Sequence, residues 1–316
     1  MDDSGHRNIT REGLGPLRQA GLSQALLDVV VDANVHEDEI QSQSAIHFDN
    51  CAFPEGITKI RRDRLGVLGC GDRFSVSALR GLGRALHTIQ DFYAHSSWIE
   101  LHQHLSPVPV WDVHRRSLPE GIRSGTWEDG APKRCAWPSE THDEMSKDTA
   151  QSARGMVRVE SGPNQGRTLF ELARDTAVRA TLAEVAWFLS GITRYRITTV
   201  TGDRDGAGTD ADVFAVLWGS PFSGTGRLYL DNIDRDDFER GRRDTFLVGS
   251  TQHFPTIERI SIGYSPAEHL GKNPGWFLEE VVVENVDAGK SWTFPAHRWL
   301  AIDEGDRRTI IHLPAA

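Results

Sequence analysis

The chain has 316 residues, 38% hydrophobic and 25% charged, with 35 basic against 45 acidic side chains and a formal net charge of -10. That length is too great for one small core and suggests two domains of roughly 100–200 residues, while no run approaches the ~18 apolar residues of a membrane helix. The acidic balance argues against a protein built to coat a nucleic-acid backbone, and Cys51, Cys70 and Cys135 stand at spacings that make neither a disulfide framework nor a CxxC metal site, although one bridge could form.

The opening residues, Met1 to His6, carry neither the basic region nor the apolar stretch of a secretory signal. The expectation is a cytoplasmic chain, export by a route that reads no such signal, or a chain that begins after one. Leu14–Val31 places Leu14, Leu17, Leu22, Leu26, Leu27 and Val30 close to helical spacing, interrupted by Gly15, Pro16 and Gly21. Ser75–Leu105 has the strongest helical pattern. Leu79, Leu82, Leu86, Ile89, Phe92 and Tyr93 recur at three and four, and Pro107 and Pro109 stop any continuation. Residues 115–140, rich in Gly, Pro and Trp, read as a long irregular loop of a kind that often carries function. Thr168–Ile192 predicts a further helix. From Tyr195 the period changes to two. Eight short runs follow, Arg196–Thr201, Asp212–Leu217, Arg227–Leu230, Asp244–Val248, Ile257–Ile262, Phe277–Val283, Ser291–Phe294 and Thr309–Leu313, and predict a β-sandwich. The chain thus divides into a helical domain over 1–195 and a β domain over 196–316.

His87, Asp91 and His95 stand four residues apart in the central predicted helix. Each step of four turns the helix ~400°, so the three side chains share one face and drift only ~40° per step. Imidazole nitrogen and carboxylate oxygen are the ligands of zinc. The ~12 Å between the outer Cα atoms is too long for one ion to hold all three, but it suits Asp91 bridging neighbouring ions. A solvated polar face is the competing reading, weakened by three ligand-type residues at one phase of an otherwise apolar helix.

Four segments, GHRNITREGL (5–14), AIHFDNCAF (45–53), ALHTIQDFYAHSSWIEL (85–101) and THDEMSKD (141–148), bear on this helix. They resemble motifs of the zinc-dependent phospholipase C family, which includes clostridial alpha-toxin; the central helix is nearest the Het-C-like branch. The resemblance implies an all-α domain holding three zinc ions. Carried over, His47, His87 and Asp91 would hold one ion, His6 and Asp91 a second, and His95 and His142 a third together with a carboxylate. The family places a glutamate four residues after that last histidine. Here the position is Ser146, with Asp148 or Glu144 as the substitute. The family also binds metal through the amino group of an N-terminal tryptophan, which has no counterpart before His6 and leaves Asp2, Asp3 or water for the second site. Asp38 matches the aspartate that approaches the metals and the attacking water, with Asp32 as the alternative. His36, His102, His104 and His114 read as surface or loop residues, and Glu100 as a support for the ligands.

TGDRDGAGTDADVFAVLWG (201–219), FERGRRDTF (238–246), NPGWFLEEVVVEN (273–285) and WTFPAHRWL (292–300) resemble the PLAT (lipoxygenase-homology) domain in order and spacing. This implies an all-β, eight-stranded sandwich that presents a protein to membranes or lipid-associated partners, in the toxin relatives through calcium-binding loops. Asp203, Asp205 and Asp210 crowd one turn, and Asp234, Asp236 and Asp237 another. Asp205, Asp236 and Asp237 are the calcium candidates, against the ordinary preference of aspartate for turns. Trp276 and Trp299 read as core, whereas Trp218, Phe222 and Leu270 adjoin turns and are candidates for lipid contact.

Together the two resemblances imply a zinc-dependent phospholipase C that releases diacylglycerol and a phosphorylated head group, with Asp38 orienting or deprotonating the water. The expected cofactors are two or three zinc ions and, in the sandwich loops, calcium. The expected partner of this monomer is a phospholipid membrane surface rather than nucleic acid, met by peripheral contact. The alternatives are a zinc nuclease for single strands, with Trp111, Trp127 and Trp137 as stacking sites, and a non-catalytic Het-C-like membrane or interaction protein whose metals are structural.

Overall fold

Capping and breaker residues set the helix boundaries of the first half. Asp2 caps α1 (Asp3–Gly13) by accepting from the Gly5 N–H at 2.7 Å. The run expected from Leu14 splits in two. Pro16 opens the short α2 (Gly15–Ala20), Gly21 closes it at φ 102°, a left-handed conformation that costs glycine nothing, and Ser23 caps α3 (Gln24–Val35). There follow α4 (Ser44–His47), α5 (Phe53–Gly69), α6 (Val76–His95), α7 (Trp98–His102), α8 (His142–Met145) and α9 (Leu169–Leu189), the last opened by a capping box of Thr168 and Glu171. The single helix expected over Ser75–Leu105 is α6 plus α7. The Ser96 N–H still donates to Phe92 O at 3.2 Å, but the Ser97 N–H donates to Arg123 O at 2.8 Å, which ends the helical ladder there.

The computed structural model describes residues 1–113, 118–136, 139–265 and 275–316, so His114, Trp137 and Leu270 lie outside the described residues. These form two units, one of Met1–Leu68 and Val76–Ser190, the other of Gly69–Ser75 and Gly191–Ala316. Among the described residues no helix is long and apolar enough to cross a membrane.

In the first unit α6 packs against α3 and α9, and α1 packs against the same two helices. Gly83 permits the α3 contact: a Cβ there would stand 2.4 Å from Val30 O and 2.9 Å from the Ala33 Cβ. Ile9, Phe48, Ile60, Phe92, Tyr93 and Leu172 belong to the core around α6. Its polar residues are as deeply buried as its apolar ones, with His87, Gln90 and Asp91 at 0% exposure and His95 at 4%. That excludes the solvated-face reading and requires partners for every one of them.

The second unit is a sandwich of two antiparallel sheets. One has the order β5 (Arg243–Ser250), β1 (Thr193–Thr201), β7 (Trp276–Asn285), β8 (Lys290–Leu300). The other has β3 (Ser223–Gly224), β2 (Val213–Ser220), β6 (Arg259–Tyr264), β9 (Ile310–Pro314), with β4 (Leu228–Tyr229) on β2. Alternate residues face inward, so Tyr195 and Ile197 meet Val213, Leu217, Ile260, Ile262, Val281 and Val283 in one core. The described residues thus form nine strands rather than the expected eight. The addition is Ser223–Gly224, too short to show an alternating pattern. Trp276 is fully buried and its Nε1 donates to Thr201 Oγ1 at 3.0 Å.

Within this unit Asp72 Oδ1 accepts from the Gly249 N–H at 2.7 Å and the Phe74 N–H at 2.8 Å. Burial outweighs those two donors and pushes the carboxyl up to about 7 from 3.8. The folded chain therefore keeps a proton that the unfolded chain releases first. Stability from this group is full below about pH 4, is lost as pH rises towards 7, and stays low above that. Asp72→Asn is expected to flatten that slope. Urea midpoints at about pH 4.5 and about pH 7.5 check it, and an unchanged slope in the variant would count against the shifted carboxyl.

Candidate metal centre

Asp91 sits at the middle of the buried polar face of α6, and its two oxygens face different partners. Oδ2 lies 2.9 Å from His47 Nδ1 and 3.1 Å from His87 Nε2. Oδ1 lies 3.0 Å from His6 Nε2 and 2.7 Å from the Met1 amino group. Burial opposes the charge on Asp91, but the Met1 amino group and the imidazoles of His95, His87 and His6 hold its carboxyl well below the usual carboxylate range. One ionised carboxylate therefore joins three histidines from α1, α4 and α6.

The hydrogen bonds on the far side of the rings fix which nitrogen faces inward. His47 Nε2 donates to Ile40 O at 3.3 Å, which leaves Nδ1 towards Asp91. Gln90 Nε2 donates to Thr10 Oγ1 and Thr181 Oγ1, both at 3.0 Å, so its Oε1 accepts from His6 Nδ1 at 2.7 Å and turns His6 Nε2 to the carboxylate. Burial holds the His87 imidazole well below its ordinary range and so keeps it neutral. His47 shifts the other way: burial lowers it, but the hydrogen bond and charge of Asp91 raise it overall. A proton on His47 Nδ1 and a metal ion are alternatives for the same space.

Asp38 closes this group, with Oδ1 at 3.8 Å from His87 Nε2. Burial, and then the charge of Asp91, pushes its carboxyl up to about 6. One ligand atom from each of His6, Asp38, His87 and Asp91 lies within 4.8 Å of the others. Asp38 also lines an open cleft of about 740 Å³, with Arg7, Arg80 and Arg84 on its walls. Asp32, the alternative to Asp38, is exposed and pairs with Arg7 at 3.1 Å.

A second group lies one turn along α6. His95 Nε2 is 2.9 Å from Asp148 Oδ1, and His142 Nε2 is 3.6 Å from Asp148 Oδ2. Burial lowers His142, but the carboxylates of Asp148 and Asp49 outweigh it and carry the imidazole up to about 10. Asp148 is the carboxylate brought to this pair. Glu144 is turned away, capping α8 through Thr141. Ser146, where the family pattern has glutamate, follows α8 in extended backbone.

Among the described residues the structure sets aside His36, His102 and His104. His36 pairs with Glu39 on the surface, His102 Nδ1 donates to Trp98 O at 2.8 Å, and His104 is exposed. Glu100 pairs with the buried Lys147 at 3.3 Å. Three groups carry no signal in the sequence: the Met1 amino group, 2.7 Å from Asp91 Oδ1 and 2.9 Å from Asp148 Oδ1 in place of the expected Asp2, Asp3 or water, and the side chains of Gln90 and Asp49. Gln90 was hidden because its task depends on two threonines far along the chain, and Asp49 because only folding brings His142 to it, at 2.9 Å. Cys51, two residues on, is bridged to Cys135.

In the sandwich, the calcium candidates separate. Asp205 pairs with Arg240, and Asp237 accepts from the Asn232 N–H at 2.7 Å and its Nδ2 at 2.9 Å. Asp236 instead stands with Asp210 and Glu239 in an exposed group. Trp218 is partly buried and its Nε1 donates to Ser261 Oγ, whereas Phe222 is 98% exposed between β2 and β3.

Residues 195–311 match the PLAT/LH2 domain, and residues 14–108 match the VWA7 N-terminal domain. In the first unit the matched stretch is thus that of the VWA7 N-terminal domain. Human lipoxygenase homology domain-containing protein 1 is 37% identical over 113 residues, 36% of this chain and 5% of the relative. Mouse polycystin-1-like protein 3 is 29% identical over 128 residues, 40% of this chain and 6% of the relative. The chain thus spans a small fraction of the length of these relatives. Alpha toxin from Clostridium absonum is 14% identical, with 98% of each chain covered and a TM-score of 0.30.

Proposed function

We propose that the chain is a zinc protein addressed to lipid surfaces, and that its helical unit hydrolyses a phospholipid at the glycerol side of phosphate. The observation that carries the metal is the Asp91 carboxylate, with inward-turned imidazole nitrogens on both of its oxygens. Around it, His6 Nε2 and Asp38 Oδ2 are buried without a hydrogen-bond partner among the described residues. Uncompensated groups of that kind are costly, and imidazole nitrogen with carboxylate oxygen is a donor set that suits zinc. Zinc held there would supply Lewis acidity and a lowered pKa for bound water.

The chain's own residues support hydrolysis through the cleft. Asp38 has the carboxyl best placed and best tuned there to hold and release a proton. Arg80 and Arg84 line the same cleft and suit phosphate oxygens. The sandwich supplies the lipid address, since PLAT domains serve membrane or protein interaction, and fully exposed Phe222 is an anchor for the apolar boundary of a bilayer. The Cys51–Cys135 bridge suits an oxidising compartment.

A second reading keeps the zinc and drops the chemistry. The matches to the VWA7 N-terminal and PLAT/LH2 domains favour a non-catalytic membrane or interaction protein with structural metal, and Ser146 in place of a glutamate fits it. Elemental analysis of the purified chain, joined to release of phosphorylated head group from phosphatidylcholine–phosphatidylserine vesicles, separates the two. Zinc with chelator-sensitive release supports hydrolysis. Zinc with vesicle binding and no release supports the second reading, and cleavage of single-stranded DNA with intact vesicles would support a nuclease. Phe222→Ala is expected to weaken vesicle cosedimentation about 10-fold, from the ~1.5–3 kcal/mol gained by burying a phenylalanine side chain. Undiminished cosedimentation would remove Phe222 from the membrane face.

A further inference from the structure

We propose that Asp49 is a positioning residue of the second metal group: its carboxylate fixes the His142 ring so that Nε2 is presented to the ion held with His95 and Asp148. This rests on the zinc reading above and adds a residue that the ligand pattern did not contain.

The geometry is paired. His95 Nδ1 stands 2.9 Å from His47 O, and a carbonyl only accepts, so Nδ1 carries the proton and Nε2 keeps its lone pair. That lone pair meets the Met1 amino group at 3.4 Å, as Asp148 Oδ1 does at 2.9 Å, and an ion there would take the place of that amino group. His142 Nδ1 stands 2.9 Å from Asp49 Oδ1, and an ionised carboxylate likewise only accepts. Both rings are thus held by Nδ1, and both turn Nε2 to Asp148, at 2.9 Å and 3.6 Å. A carboxylate behind a ligating imidazole raises its basicity and sets its orientation. Asp49 is 1% exposed, and its Oδ2 is buried with no hydrogen bond among the described residues. Its other oxygen, Oδ1, is the one that meets His142, so the buried carboxylate is committed to that ring.

The backbone around Asp49 is built to keep it there. Phe48, Asn50 and Cys51 all adopt positive φ, at 58°, 54° and 58°, which non-glycine residues do only where their surroundings force it. Asn50 supplies much of that force. Its N–H donates to Gly125 O at 2.7 Å, its O accepts from the Arg134 N–H at 2.7 Å, and its side chain bonds Ser44 Oγ and both backbone groups of Trp127. So many restraints on one tight turn would be superfluous for a surface aspartate.

Zinc titration of the full chain tests the role, with Asp49→Asn and Asp49→Ala beside the wild type. Asparagine keeps an acceptor for Nδ1 and loses the charge; alanine loses both. The expected result is one ion bound about 10-fold more weakly in the asparagine variant and about 100-fold more weakly in the alanine variant. Full occupancy returns at saturating zinc, the remaining ions are unaltered, and the visible spectrum of the cobalt-substituted protein is unchanged. Outright loss of one equivalent from Asp49→Asn, with an altered cobalt spectrum, would overturn positioning in favour of direct ligation. Wild-type affinities in both variants would overturn any role for Asp49. A wild-type chain that binds no zinc removes the zinc reading itself, and this inference with it.

Discussion

Asp91→Asn is expected to release at least one zinc ion and to lower any lipid hydrolysis by more than roughly 100-fold, beyond what the loss of an outer partner costs. The two oxygens of this carboxylate meet separate imidazole sets, His47 with His87 on one side and His6 on the other. An asparagine keeps the volume but offers one acceptor oxygen and an N–H pair. Whichever way the amide turns, one imidazole set then faces a donor. The substitution also removes the negative charge that balances the Met1 amino group and the surrounding histidines. His102→Ala and His104→Ala are the comparison: His102 belongs to α7 and bonds Trp98 O, and His104 is exposed, so both should keep full zinc. Zinc counted per folded chain, with circular dichroism to show the fold is kept, decides it. Equal losses in all three variants would show that the Asp91 assignment is wrong.

What could be read from the sequence was local. His87, Asp91 and His95 share a phase because helix geometry alone puts them there, and burial of the surrounding residues then turns that face into a site. The change from helical to alternating period near Tyr195 likewise needs only neighbouring residues. Features that depend on long-range partners were not legible. The break between α6 and α7 arises from Ser97 bonding Arg123, twenty-six residues on in sequence. Of the three aspartates taken as calcium candidates, Asp205 is drawn to Arg240 and Asp237 is engaged by Asn232, which turn chemistry in the sequence does not disclose. Gln90 and Asp49 carry no mark in the sequence for the same reason. Each orients an imidazole of the candidate centre through a bond that exists only once remote segments have met.

The Cys51–Cys135 bridge is the clearest case of a distant restraint acting on the site, and breaking it is expected to have the largest effect on stability. It closes a loop of 84 residues, which in the chain-entropy treatment restricts the unfolded state by about 4–5 kcal/mol. Cys51→Ser should therefore shift the urea midpoint of the helical unit far to the left, and reductant should do the same to the wild type while leaving the variant unmoved. The effect should reach the metal as well. Cys51 follows Asp49 and Asn50 directly, and Cys135 lies beside the segment that donates to Asn50 O through the Arg134 and Cys135 N–H groups, at 2.7 Å and 3.1 Å. Without the bridge, the positive φ of Phe48, Asn50 and Cys51 is maintained by packing and by hydrogen bonds, each of the latter worth ~1 kcal/mol net. The turn should relax and draw the Asp49 carboxylate away from His142. The His95–His142 ion should then weaken first, while His6, His87 and Asp91, which depend on α1 and α6, keep theirs until the unit unfolds. Zinc release followed against urea with and without reductant reads both events. Superimposable curves in the two conditions would show that the bridge restrains neither the fold nor the site.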